Sequence, residues 1–261
     1  MLALSTLAAA AILLAVIFVF VWRLAVRLDN FSIVDVAWSY AFAPVAILYA
    51  LLLDGWLPRR LTIAALVSLW SLRLGTYLLR RIRAHHPQED ARYAVLRERW
   101  AADLAGAFLK FFLAQAMLVW LLMLPVFLIC RETQLGFHGL EWFGIGIWFV
   151  ALSGEAIADS QLRRFKERNQ DRRLVCREGL WKFSRHPNYF FQSLLWWGLF
   201  FMALPAPWGW AAILAPIAML WFLLRVTGIP LTEELALKSK GDAYRDYQKT
   251  TSALVPWPIK S

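Results

Sequence analysis

The chain has little of what soluble enzymes commonly build their sites from. It carries two cysteines in 261 residues, Cys130 and Cys176, too few for a disulfide framework, and neither has a second ligand at zinc-type spacing. Its four histidines, His85, His86, His138 and His186, are scattered without metal-ligand spacing, so no metal is expected. There is no G-x-G-x-x-G, no P-loop and no nucleophile elbow, and a dinucleotide, if bound, is not held by a Rossmann unit. No ten-residue alternation suggests a β-barrel, and no inverted pair of broken helices suggests a transporter. Acids are scarce too: 18 Asp and Glu stand against 28 Lys and Arg, a net charge of +10.

What is present is apolar. Sixty per cent of the residues are hydrophobic, with 15 Trp and 18 Phe, which overrules a soluble reading. A helix needs about 20 apolar residues to cross a ~30 Å hydrocarbon core. Seven runs approach that length, roughly 4–22, 33–53, 61–79, 107–129, 140–158, 189–204 and 208–227, the sixth short and the fifth with an acid near its end. Only helices can bury such runs in lipid with every backbone group paired. The expectation is an all-α integral membrane protein of seven transmembrane helices, one domain over 1–261 with a polar tail at 230–261. The first run has no basic residue before Arg23 and exceeds a signal-peptide core, so it reads as a retained helix.

With the N-terminus outside, all Lys and Arg but Arg59, Arg60, Arg73, Lys110 and Arg131 fall in cytoplasmic connections or the tail, as the positive-inside rule expects. That accounts for the net charge through orientation and lipid headgroup contact, without nucleic acid. The two cysteines then lie on opposite faces and cannot pair. The long, charged connections are cytoplasmic, and functional chemistry is expected to open there.

Several ionisable groups sit in the wrong solvent. Asp35, in "NFSIVDVAWSY", falls about one turn inside the second helix, where an acid is costly. A carboxyl in a low-dielectric cavity tends to stay protonated and then donates to a substrate oxygen. The bland alternative is a helix cap, although Asn30 and Ser32 already serve as caps. Arg73, Tyr77 and Arg80 share one helical stripe. Arg80 and Arg81 can snorkel to the interface, whereas Arg73 lies too deep and wants a carboxylate or phosphate. Glu155 and Asp159 are spaced i, i+4 with Arg163 and Lys166 following, either a polar site or a salt-bridged helix leaving the membrane. "WKFSRHPNYF", residues 181–190, packs Arg185, His186, Asn188 and Tyr189 into five positions around Pro187, more like a binding surface than a helix end.

"NFSIVDVAWS", "LRLGTYLLRRIRAHHPQEDARY", "GLWKFSRHPNYF" and "GDAYRDYQKTTSALVPW", in this order over about 28 to 258, resemble the bacterial membrane proteins of the steroid 5α-reductase superfamily. The resemblance implies a monomeric reductase of the bacterial inner membrane with its cofactor site facing the cytoplasm. Such a protein takes hydride from NADPH and saturates the double bond of an enone lipid drawn from the bilayer, such as a 3-oxo-Δ4 steroid. Asp35 matches the acid that hydrogen-bonds the substrate ketone. Trp70 falls where eukaryotic members carry an assisting tyrosine, a departure Tyr77 would repair. Trp38 and Gln192 complete the implied substrate side, Gln192 standing where eukaryotic members carry a glutamate. Arg73 and Asn188 match cofactor-binding residues, and Glu155 and Asp159 match an asparagine and an aspartate, so position 155 departs in type. Arg163, Arg172, Arg173 and Arg185 are the implied phosphate ligands, with Asn30, Arg80, Arg81, His186, Tyr189, Glu234, Tyr244 and Tyr247 filling out the cofactor set. In the implied mechanism protonated Asp35 polarises the carbonyl, hydride reaches the β-carbon, and the same donor stabilises the enolate.

A rival reading starts from the tail. "RHPNY" followed by an acidic pair, Glu233–Glu234, and "LVPW" is similar to membrane methyltransferases of isoprenylcysteine or phospholipids, which bind S-adenosylmethionine. Arginines suit a phosphate-rich cofactor and acids suit a cationic methyl donor. A non-catalytic lipid-binding or transport role is the third class.

Overall fold

A computed structural model describes residues 2–85, 87–169, 171, 173–226 and 228–258; Arg172 of the expected phosphate set lies outside them. Regular structure among the described residues is helical, with one isolated parallel bridge between Ser184 and Ser252. The expected single domain gathers into two compact units, Met1–Gly139 with Ala203–Ala215, and Leu140–Met202 with Pro216–Ser261.

The first unit holds α1 (Leu2–Leu28), α2 (Ile33–Leu52), α3 (Leu57–His85), α4 (Ala91–Arg99), α5 (Leu104–Leu122) and α6 (Leu124–Arg131). Helix α2 packs along α3 and α1, and α1 along α5. Polar groups inside lipid must find partners within the protein, and they set the register here. Ser71 Oγ donates to Ser39 O at 2.7 Å and accepts from Ala43 N at 3.2 Å, and the Tyr40 and Thr76 hydroxyls meet at 3.0 Å. Gly75 makes room for that tyrosine, since a Cβ there would stand 2.6 Å from its ring. The run expected as one span, 107–129, is two helices that part at Met123, because Pro125 in the first turn of α6 has no N–H to continue α5.

The second unit holds α7 (Gly139–Arg168), α8 (Pro187–Ala203), α9 (Leu214–Trp221), α10 (Ile229–Lys240) and α11 (Asp242–Thr250). Helices α7 and α8 come close at two glycines: a Cβ on Gly144 would lie 2.5 Å from Gly198 O. Small residues permit such approach where lipid supplies no hydrophobic drive.

Among the described residues, six helices are long and apolar enough to cross a membrane: Leu2–Leu28, Ile33–Leu52, Leu57–Ala84, Ala101–Arg131, Gly139–Arg168 and Gly209–Lys240. The protein is therefore membrane-embedded. The expected sixth span corresponds to α8, whose 17 residues reach about 26 Å, short of a ~30 Å core. The expected fifth span runs on past 158 to Arg168, carrying its charged last turns out of the apolar run.

Candidate functional site

One cluster of charge forms in the first unit, where a short amphipathic segment folds against the start of α2. Asp90 caps α4, its Oδ1 accepting from Arg92 N at 3.0 Å. The same turn is tied to α2: Ser32 Oγ accepts from Asp90 N at 2.9 Å and Glu89 Oε1 from Phe31 N at 2.6 Å. With its start held, α4 delivers two side chains to Asp35. Arg92 Nη2 donates to Asp35 Oδ2 at 2.7 Å, and the Tyr93 hydroxyl donates to Asp35 Oδ1 at 2.6 Å. Arg92 also binds Asp90 through Nε at 3.0 Å, and Arg81 pairs with Asp90. Arg97 bridges Glu89 at 3.1 Å and Asp29 at 2.7 Å and lies over the Phe31 ring. Burial alone would raise the Asp90 carboxyl, but Arg92 and Arg81 overrule it and hold it well below the usual carboxylate range. Burial first, then the charge of Asp35, pushes the Tyr93 hydroxyl well above its ordinary value, so it keeps its proton.

The expected partners of Asp35 are elsewhere. Trp70 is buried edge-on to Trp38 and Phe42, and the Tyr77 ring lies 5.9 Å from the Arg73 guanidinium, which confirms their shared stripe. Neither supplies the hydroxyl at Asp35, which is Tyr93's. The antiparallel register explains why: Ser39 faces Ser71 and Tyr40 faces Thr76, so Asp35 lies beyond Thr76, toward the end of α3 and the α4 segment. Asn30, expected to touch cofactor, is buried and its Oδ1 accepts from Ser32 N at 3.0 Å, shaping the α1–α2 turn. Arg80 is exposed, and Arg81 belongs to the Asp90 cluster.

A second cluster forms in the second unit around Glu233. Its Oε1 accepts from Arg185 Nε at 2.6 Å and lies 3.2 Å from His186 Nε2, and its Oε2 accepts from Gln248 Nε2 at 2.8 Å. Arg185 also donates to the carbonyls of Gln248 at 3.2 Å and Thr251 at 2.5 Å, while its backbone N–H donates to Ser252 O at 2.8 Å. His186 is buried and stacks on Tyr189, centroids 5.3 Å apart and planes within 5°. Tyr244 and Tyr247 are buried, and the Tyr247 hydroxyl donates to Ser184 O at 3.1 Å and to Trp181 O. The expected phosphate ligand Arg185 is thus engaged within the fold, joining α8 to the tail. Glu234 points to Lys238 instead, an exposed i, i+4 pair at 2.7 Å.

Nearby, buried Glu155 and Asp159 share a face of α7 as expected, and Asp159 Oδ1 accepts from Asn188 Nδ2 at 3.3 Å. Gln192, one turn further along α8, is half-buried. Arg163 and Arg173 have side chains 53% and 87% exposed, with the acids Glu167 and Asp171 no nearer than 3.8 and 4.0 Å, which leaves both guanidinium groups in reach of solvent anions. Cys176 is buried, and burial holds its thiol above the ordinary range. Among the described residues no group of three His, Cys, Asp or Glu is placed to hold a metal ion.

The chain belongs to the family described as protein of unknown function DUF1295, whose model matches residues 21–251. It is similar to an uncharacterized protein of the fission yeast Schizosaccharomyces pombe, 24% identical over 268 residues, covering 90% of this chain and 75% of the yeast one. No solved structure matches it.

Proposed function

We propose that this DUF1295 protein is an NADPH-dependent membrane reductase related to the steroid 5α-reductases, saturating the carbon–carbon double bond of an enone lipid such as a 3-oxo-Δ4 steroid. In this reading the bundle has seven helices, with its N-terminus outside and its cofactor loops on the cytoplasmic face of a bacterial inner membrane. The observation that carries it is the 2.6 Å hydrogen bond between the Tyr93 hydroxyl and Asp35, beside Arg92. An enone needs a proton-bearing group at its carbonyl oxygen, so that negative charge developing there meets a preset donor. Tyr93 is that donor in our reading: its single proton rests on Asp35 in the free protein and turns to the substrate oxygen when substrate binds, a reversal of the role the sequence suggested for the acid. The Trp38 indole N–H, one turn along α2, is buried with no hydrogen-bond partner among the described residues. Such a donor wants an acceptor, and a lipid oxygen is one.

NADPH, when bound, supplies the hydride. The residues present fit such a cofactor: Arg163 and Arg173 offer exposed forks for phosphate, and Asn188 with Asp159 offers an amide and a carboxylate in the same unit. The methyltransferase reading finds less support. A sulfonium ligand wants acids free to meet it, whereas both Glu233 oxygens accept from Arg185 and Gln248.

The test is thermal stability of the detergent-purified protein with NADPH, NADH and S-adenosylmethionine in parallel, followed by NADPH oxidation with a 3-oxo-Δ4 steroid. A ligand that binds only the folded state stabilises by about 2.7 kcal/mol at one hundred times its dissociation constant. A shift with NADPH and steroid-dependent oxidation that Tyr93→Phe abolishes are expected. A shift with S-adenosylmethionine alone would overturn the assignment.

A further inference from the structure

Helix α7 carries an open apolar groove on one face, lined by Phe149, Val150, Ser153, Ile157 and Gln161, with Leu180 and Phe191 closing its side. Gly154 makes the groove possible: a Cβ there would stand 2.4 Å from the Phe191 ring, so the missing side chain lets that ring settle against the helix. Residues 150, 157 and 164 recur every seven positions, two turns apart, and so fall on one stripe. Val150 and Ile157 lie within the groove, and Arg164 continues the same stripe about 10 Å beyond Ile157. The helix thus passes from membrane-grade residues to a cation along a single line.

The groove's polar end has a definite charge. Gly179 and Leu180 line it, and Lys182 is exposed two residues on, in the short 3₁₀ turn Gly179–Lys182. Arg164 is exposed, and neither it nor Lys182 pairs with an acid among the described residues. The acid beside that end, Glu178, is neutralised by Arg168 at 2.5 Å. An open apolar groove on a membrane helix is therefore followed along α7 by Arg164 and along the 3₁₀ turn by Lys182, two cations unpaired with acids among the described residues. Solvated cations at a helix end are commonplace, but a groove leading up to them matches one ligand chemistry: a hydrocarbon chain joined to an anion.

We infer that this groove is a binding site for an anionic phospholipid of the bilayer, one acyl chain lying along Val150, Ile157 and Phe191 and the phosphate meeting Arg164 and Lys182. The test measures the melting temperature of the full-length protein in detergent supplemented with phosphatidylglycerol or phosphatidylcholine, with retained lipid counted by native mass spectrometry. Phosphatidylglycerol is expected to raise the melting temperature more and to remain bound. Arg164→Glu should weaken its retention roughly thirtyfold, since a basic residue near an anionic headgroup contributes about 1 kcal/mol and reversal doubles the change. Lys166→Glu, the same charge change on the opposite face of α7, should leave retention unaltered. Ser153→Trp, which fills the groove from an exposed position, should remove both lipids' effect while the protein stays monodisperse. Equal stabilisation by both lipids, equal losses in Arg164→Glu and Lys166→Glu, or displacement of the lipid by a 3-oxo-Δ4 steroid at activity-saturating concentration would each overturn the proposal.

Discussion

Two clusters in this chain use the same residue types, arginine, carboxylate and tyrosine, to different ends. Around Glu233, Arg185 directs its N–H groups to a carboxylate and to two backbone carbonyls of the tail, so its hydrogen-bonding capacity is committed to holding α8 and the C-terminal segment together. Around Asp35, Arg92 is likewise committed to Asp35 and Asp90. Tyr93, however, brings a proton-bearing hydroxyl to the carboxylate at the start of a membrane helix. The difference lies in what the partners are. Charged donors that end on main-chain acceptors make a clamp, whereas a hydroxyl donor on a carboxylate can exchange its acceptor for a ligand oxygen without breaking the backbone. Cationic character alone, which first marked Arg185 as a phosphate ligand, does not separate the two cases; the groups its N–H donors end on do.

The sharpest way to break this comparison is Tyr93→Phe. It keeps the ring and the Arg92–Asp35 pair, so steroid-dependent NADPH oxidation should fall about 10²-fold or more with little change in melting temperature. A large loss of stability with unchanged turnover of the surviving protein would make Tyr93 a packing residue. Next in size is Arg185→Met, which strips Glu233 and two carbonyls of their donor. A part-buried charge-assisted network of this kind should cost about 2–3 kcal/mol, visible as a lower melting temperature and faster proteolysis within 242–258.

Acid sharpens the picture on the Asp35 side. The carboxyl of Asp90 is held below its unfolded value, near 3.9, by Arg92 and Arg81 once burial is overcome. A depressed folded value means the contribution is fully present well above pH 4 and is lost as pH falls from there toward the folded value. Thermal melts between pH 6 and pH 3 should therefore decline with acid, and Asp90→Asn should flatten that decline. The smallest expected effect belongs to Glu234→Gln. Its exposed pair with Lys238 is worth at most about 0.5 kcal/mol, so a shift comparable to that of Glu233→Gln would erase the distinction between the two adjacent acids.

Much of the architecture was legible in the chain itself. Long apolar runs imply spanning helices because lipid leaves no other way to pair the backbone, and the i, i+4 pairs Glu155–Asp159 and Arg73–Tyr77 survive intact since helical periodicity is local. Pro125 also signalled the break inside the fourth run, although the run's overall hydrophobicity masked it. The site was harder. Asp35 stood out as an acid in an apolar helix, but its partners lie 57 and 58 residues away, on a nine-residue helix whose arginines read as orientation signals. The available clue was "EDARY", an N-cap acid with a tyrosine three residues on, so both fall in one turn facing the same way. Arg185 shows the converse: nothing local indicates that a carboxylate at 233 and carbonyls at 248 and 251 will meet it.

The sequence by itself determined that this is a helical membrane protein with an acid near the start of its second helix, because hydrocarbon thickness and helical period act on neighbouring residues alone. Tertiary structure decided which hydroxyl reaches that acid, which of two adjacent glutamates is engaged, and where α7 opens into a groove. Those outcomes depend on register between helices far apart in the chain, set by contacts such as Ser71 to Ser39 and Phe191 against Gly154.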